Sequence, residues 1–277
     1  MLNRARKSAL PIHQAVALGL LQGPTELLPV SSSAHAALLP WLASWNHSQL
    51  DPELRKSFEV VLHGGAGLAL AIDMRSELLQ EASDMDPRRA ATIACSLAPA
   101  AIAGLALRGP IERRLGGPRS IAAGLAIGAV AMALADVCGA RARTLKDAGP
   151  RDGLALGLAQ AIALAPGVSR SGATLTAARA RGFSRGDAQT LSWHAALPVL
   201  LGVGALECGR LARSPKPAGA RLALVAGTVS AFVSTLASAR VLGRTPEGRS
   251  LLPWSIYRGV LALAVMRRLR RAHNRGR

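Results

Sequence analysis

Apolar residues run along this chain in uncharged or nearly uncharged blocks of about 16 to 20, the length that crosses a hydrocarbon core of ~30 Å as a helix. The clearest blocks are 90–107, 120–134, 191–206, 222–239 and 250–266. A further block, 57–72, carries Glu59 and His63 and reads as the first full span of its half. Two regions depart from this pattern. Residues 11–45 are apolar but broken by Gly23-Pro24, Pro29 and the serines 31–33, and residues 153–180 are broken by Pro166-Gly167 and Ser169–Ser171. Each predicts two short helices around a polar bend. Irregular backbone at membrane depth is tolerated only where protein or a watery cavity covers it, so each bend reads as a re-entrant or broken hairpin.

The two interrupted regions are copies of one pattern. With a shift of 138, ALGLLQ at 17–22 meets ALGLAQ at 155–160, Gln22 falls on Gln160, and Val30–Ser33 falls on Val168–Ser171. A shift of 138 in 277 residues is half the chain. The expected fold is therefore an all-α integral membrane protein, a single membrane domain over 1–277. It is an inverted repeat of halves 11–139 and 153–266, followed by a basic cytoplasmic tail, 267–277. Each half holds one hairpin and three transmembrane helices, and an odd number of crossings makes the second half enter from the opposite side. Short Gly/Pro-interrupted segments at matching positions of two halves point to a midplane site, where both polar loops are expected to meet.

Charge changes the picture by its placement. The chain has 34 Lys and Arg against 16 acidic residues, a net +18, with a mean hydropathy of +0.26. The cations sit between the apolar blocks: Arg4, Arg6, Lys7; Arg88, Arg89; Arg113, Arg114; Arg141, Arg143, Lys146; Arg210, Arg213, Lys216; and the tail. Basic loops facing anionic headgroups account for this, and nucleic-acid binding does not, because that would line one face of a soluble fold. Cys95, Cys138 and Cys208 have the spacing of neither a disulfide framework nor a metal site and read as packing residues. No cleavable leader is expected at the N-terminus.

Ionisable groups inside apolar stretches cost roughly 2.5–3.5 kcal/mol each on insertion scales, so Glu26, His35 and Arg170 ask for a function. A structural reading exists: hydroxyls recapping freed backbone, with Glu26 and Arg170 as a buried pair. It suits an isolated serine better than five residue types on two matched loops. A guanidinium fork, amides freed at helix starts and Ser/Thr hydroxyls together suit phosphate oxygens. Ser31 and Ser32 stand one helical turn before His35, supplying a nucleophile beside a proton acceptor. Glu26 would orient His35, take a proton, or hold a divalent cation through substrate oxygens. His63 and His194 read as packing histidines.

Gln22-Gly-Pro-Thr-Glu26-Leu-Leu-Pro-Val-Ser-Ser-Ser-Ala-His35 and Pro166-Gly-Val-Ser-Arg-Ser-Gly-Ala-Thr174 resemble the two signatures of the undecaprenyl-diphosphatase, or bacitracin-resistance, family. Phe58–Val61, Ala98–Gly104, Leu191–Pro198 and Pro253–Arg258 extend the likeness along nearly the whole chain. The resemblance implies a multi-pass enzyme of the bacterial cytoplasmic membrane, its site open to the outer side. Such an enzyme removes the terminal phosphate of undecaprenyl diphosphate to regenerate the carrier for wall polymers. It also implies a divalent cation, Mg2+ or Ca2+. By position, Glu26, Ser32, His35 and Arg170 match the residues of the chemistry. Gln22, Ser31, Ser33, Gly167, Ser169, Ser171 and Thr174 match those lining the substrate, and Glu26 is the residue for a metal. One departure is that Gln22 stands at the first acidic position of the family pattern, leaving one carboxylate in place of two. Ala34 also stands where glycine is common.

A polyprenyl-phosphate flippase using the same midplane site is the alternative. The expected partners are a polyprenyl diphosphate lipid and the bilayer, with no nucleic acid; a homodimer is carried as an open expectation. The phosphatidic-acid-phosphatase type is excluded, because no histidine follows Ser169-Arg170 at its spacing.

Overall fold

The structure, a computed structural model, describes residues 10–45, 50–139, 143–213, 218–242 and 249–275. The described residues form eleven α-helices and one 3-10 turn, with no strand among them. In order the helices are α1 (Ile12–Leu27), α2 (Ser32–Leu42), α3 (Pro52–Asp73), α4 (Arg75–Ser83), α5 (Pro87–Leu115) and α6 (Pro118–Cys138). They continue with α7 (Pro150–Ile162), α8 (Arg170–Ala180), α9 (Arg185–Arg213), α10 (Ala218–Leu242) and α11 (Leu252–Arg275). The lead 1–9, part of the polar loop after Trp45, part of the linker between the halves and the last two tail residues lie outside the described residues.

Among the described residues four helices are long and apolar enough to cross a membrane: Pro87–Leu107, Pro118–Cys138, Arg185–Leu211 and Gly219–Val241. Helices α3 and α4, bent by 70° at Met74, make a fifth if they count as one span. The sequence expectation of six spans is thus met in part: α11 carries Arg258, Arg267 and Arg268 and is not among the four. Large side chains on the outward faces, such as Leu105, Ile127, Val130 and Val241, are exposed. That surface suits lipid and not water.

The chain folds as two compact units, each drawing on both sequence halves. The first comprises residues 1–27, 35–83 and 197–244. Here α10 packs along α1 and α3, around Leu18, Phe58, Leu62, Leu224 and Ala231. The approach of α1 to α10 is close because its facing residues are small. A Cβ on Gly19 would meet the Gly227 carbonyl at 2.5 Å, and one on Gly23 would strike Ser234. Small residues at four-residue spacing let helix backbones approach where the hydrophobic effect cannot drive them together.

Gly23-Pro24 does not break the helix as expected from sequence; α1 runs through to Leu27. Proline removes the amide that would bond the carbonyl four residues earlier. That carbonyl, on Leu20, instead accepts a hydrogen bond from Ser234 Oγ of α10 at 2.5 Å. The break falls later, at 28–31.

The second unit comprises residues 28–34, 84–196 and 245–277. Helix α5 packs on α7, α6 on α8 and α11, and α7 on α8, around Met132, Leu156, Leu175, Phe183 and Leu191. Gly153 and Gly157 of α7 abut Thr92, Cys95 and Pro99 of α5, the same small-residue device as in the first unit. Of the cysteines, Cys138 and Cys208 are exposed and not packed as expected.

Candidate active site

Both interrupted regions are helix–bend–helix segments, and their bends share one local geometry. Ser31, before α2, and Ser169, before α8, are both left-handed, with φ of 76° and 71°. A non-glycine residue held there costs of order 1–3 kcal/mol and persists only when its surroundings enforce it. Ser31 Oγ accepts from the Ala34 amide at 3.3 Å and lies 3.3 Å from Ser33 Oγ. Ser169 Oγ accepts from the Gly172 amide at 3.2 Å and lies 3.3 Å from Ser171 Oγ. Each serine caps a helix start whose remaining amides are unsatisfied by the helix itself and favour an anion. The first residue after the cap differs: Ser32 in α2, Arg170 in α8. Ser31 is buried, Ser32 half-buried and Ser33 exposed, while Ser169 and Ser171 are buried and Arg170 half-buried.

In the first unit, Glu26 near the end of α1 is only 3% exposed. Gln22 Nε2, one turn earlier, donates to Glu26 Oε2 at 3.0 Å. His63 of α3 donates from Nδ1 to the Glu59 carbonyl at 2.8 Å, which turns Nε2 toward the same Glu26 oxygen at 3.6 Å. Sequence had made His63 a packing residue; the fold sets it beside the carboxylate. His35 stands on α2 one turn after Ser32, half-buried.

In the second unit, Gly167 has φ of 94°, and a Cβ there would strike the Ile121 carbonyl, so the bend requires glycine. Thr174 Oγ1 is fully buried, 2.6 Å from Ser192 Oγ and bonded to the Arg170 and Ser171 carbonyls. Gln160 is the repeat partner of Gln22, and Leu164 stands where the first loop has Glu26. Gln160 donates to the Ser96 carbonyl of α5 at 2.9 Å.

The base of this second hairpin is tied by charge. Asp152 at the start of α7 accepts two bonds from Arg143 at 2.8 Å each, one from Arg181 after α8 at 2.7 Å, and one from the Gly149 amide at 3.0 Å. Burial pushes the Asp152 carboxyl up, but these donors outweigh it and hold it at about 2. Arg143, expected from sequence to face lipid headgroups, is occupied here and lies 4.2 Å over the Phe183 ring. A second cluster ties α6 to the helices after it. Asp136 accepts from Arg185 at 2.7 and 2.9 Å, from Ser250 at 2.8 Å and from the Leu251 amide at 2.9 Å.

Sequence reasoning missed one residue of the loop. Arg258 of α11 is 0% exposed and donates from one Nη to the Gly167 and Val168 carbonyls, at 3.2 and 2.6 Å. The signal was present: a lone arginine in the middle of the apolar block 250–266.

The family model for bacitracin resistance protein BacA matches residues 15–264. The chain is 39% identical over 267 residues to an undecaprenyl-diphosphatase of Geobacter sulfurreducens, covering 92% of this chain and 97% of that protein. It is 36% identical to one from Geobacter metallireducens and 34% identical to one from Thermomicrobium roseum, each at 92% and 97% coverage.

Proposed function

The chain belongs to the bacitracin resistance protein BacA family, and from that premise we propose that it is an undecaprenyl-diphosphate phosphatase of the bacterial membrane. It hydrolyses the terminal phosphate to regenerate undecaprenyl phosphate for wall-polymer synthesis. The observation that carries the reading is the pair of matched, serine-capped helix starts with opposite chemistry. One presents a hydroxyl with a histidine a turn away, and the other a guanidinium.

Phosphoryl transfer needs charge neutralised on the equatorial oxygens and a nucleophile in line. Arg170, the first-turn amides of α8, Ser169 and Ser171 bind the terminal phosphate. Ser32 Oγ attacks phosphorus, its proton passes to His35, and undecaprenyl phosphate leaves. Water then cleaves the phosphoserine, releasing inorganic phosphate and restoring the hydroxyl. Glu26, held by Gln22 and His63, is the acidic residue of this reading.

Among the described residues no group of three or more His, Cys, Asp or Glu forms a metal cage. Glu26 with His63 suits a cation that arrives on the diphosphate, since Mg2+ is commonly held by one or two carboxylates plus substrate phosphates. A Mg2+ or Ca2+ ion would supply charge neutralisation there.

The inverted repeat is part of the same proposal, with the site open to the outer side. It is supported by the shared loop geometry and by the exchanged pairings: α10 of the second half packs on α1 of the first, and α5 of the first on α7 of the second. Purified protein in detergent, with no membrane to cross, should release phosphate from undecaprenyl diphosphate and lose that activity with EDTA. Failure to release phosphate would leave a flippase as the better account. Phosphate label trapped on the Ser32→Ala variant would eliminate the serine route.

A further inference from the structure

Arg258 has more donors than the loop it holds can use. The guanidinium is fully buried, one Nη serves the Gly167 and Val168 carbonyls, and Nε and the other Nη have no hydrogen-bond partner among the described residues. A buried, unsatisfied charged group is costly, and each one asks for an explanation, a bound ligand among them.

The free edge has a definite direction. Its unpartnered Nη lies 2.5 Å from where a Cβ on Gly172 would stand, and that same point is 3.3 Å from Ser169 Oγ. Gly172 is the third residue of α8, an eleven-residue helix whose start is capped by Ser169. The donors therefore reach the first turn of α8, where the helix dipole is also positive. Two glycines leave room for the guanidinium: a Cβ at Gly128 of α6 would strike the Nη that holds the loop, and one at Gly172 would strike the free Nη. A buried cation with donors to spare beside a positive helix end suits an anion.

We infer that Arg258 is a further ligand-binding residue: the buried counter-charge of the phosphate subsite at the first turn of α8. The inference rests on the phosphatase reading for its substrate, and the ligand is either the lipid headgroup phosphate or the free phosphate product. Arg258 thus acts twice: its outer edge fixes the bend at Gly167 and Val168, and its inner edge binds the ligand that the bend presents.

The test uses the full-length protein in detergent. Inorganic phosphate and polyprenyl monophosphate are titrated separately against thermal stability and against formation of lipid monophosphate from the diphosphate. Arg258→Gln keeps a donor for the loop carbonyls and removes the charge. It should weaken binding of the phosphate ligand by about tenfold or more, the loss expected for a charge-assisted bond. Arg258→Lys should stay within about threefold of wild type on the same grounds. An effect on both ligands assigns the phosphate group itself; an effect on the lipid alone assigns the headgroup. A folded Arg258→Gln protein that binds both ligands as wild type does would overturn the inference. So would a lysine variant as weak as the glutamine one, since that would leave only the loop-holding role. If the glutamine variant does not fold, the lysine variant alone decides by the same threefold limit. Absence of turnover in wild type, with phosphate binding still dependent on Arg258, would sink the phosphatase reading and spare the subsite. Turnover with binding independent of Arg258 would do the reverse.

Discussion

Replacing Asp152 with asparagine removes one negative charge from the base of the second hairpin and little else. The carboxylate holds Arg143 through both oxygens and Arg181 through one, so it joins the linker before α7 to the turn after α8. Charge-assisted bonds are worth about 1.5–3 kcal/mol apiece. Arg143 and Arg181 are 30% and 43% exposed, however, and both regain water when released. The net loss expected for Asp152→Asn is therefore about 2 kcal/mol. For a chain of this size that lowers the midpoint of thermal unfolding by about 4–8 °C.

The sign of the pH dependence follows from the depressed carboxyl. It is held at about 2 against an ordinary 3.8, so its contribution is complete above the ordinary value and is lost as pH falls through the folded one. Thermal unfolding in detergent, followed by tryptophan fluorescence, should show a constant gap between wild type and variant from about pH 5 to 8. The gap should close between about pH 4 and 2. A gap that persists undiminished to pH 2, or none at pH 7, would refute the assignment. Phosphate release should fall as well, since misplacing a reacting group by ~1 Å costs up to ~100-fold.

Gly167→Ala should reduce phosphate release and stability together: it places a side chain at φ of 94° against the Ile121 carbonyl, a strain of about 1–3 kcal/mol before the clash. Gly23→Val should separate α1 from α10 at Ser234 and orphan the Leu20 carbonyl, lowering the yield of folded protein and its thermal midpoint by at least 1–3 kcal/mol equivalent, about the cost of overpacking. His63→Ala should lower turnover with little change in unfolding temperature, because the ring is 27% exposed and stands beside the Glu26 carboxylate. An unchanged turnover number would return His63 to packing. Glu26→Gln should cost about 100-fold or more in turnover while leaving the fold intact, measured as lipid monophosphate formed.

Much of the helix–bend–helix pattern was legible because it is local. Pro29 and Pro166-Gly167 mark where helices end, and the serine cap is written into three or four consecutive residues on each loop. Pro24 misled for the opposite reason. Whether a proline breaks a helix depends on what satisfies the freed carbonyl, and the satisfying hydroxyl, Ser234, lies 214 residues from Leu20. Arg143 was misassigned likewise, its partner Asp152 and the Phe183 ring being matters of folding and not of composition.

The sequence by itself determined the apolar blocks, the two polar bends, their duplication and the unlike residues they carry, Glu26, Ser32 and His35 on one and Arg170 on the other. Those follow from residue order and from the intolerance of hydrocarbon for unpaired backbone. Only the tertiary structure decided that His63 faces Glu26, that α10 closes on α1 through glycines, and that Arg258 lies buried under the Gly167 bend. Each depends on the register between helices far apart in the chain. That register is set by side-chain fit across the contact, which no single stretch of sequence contains.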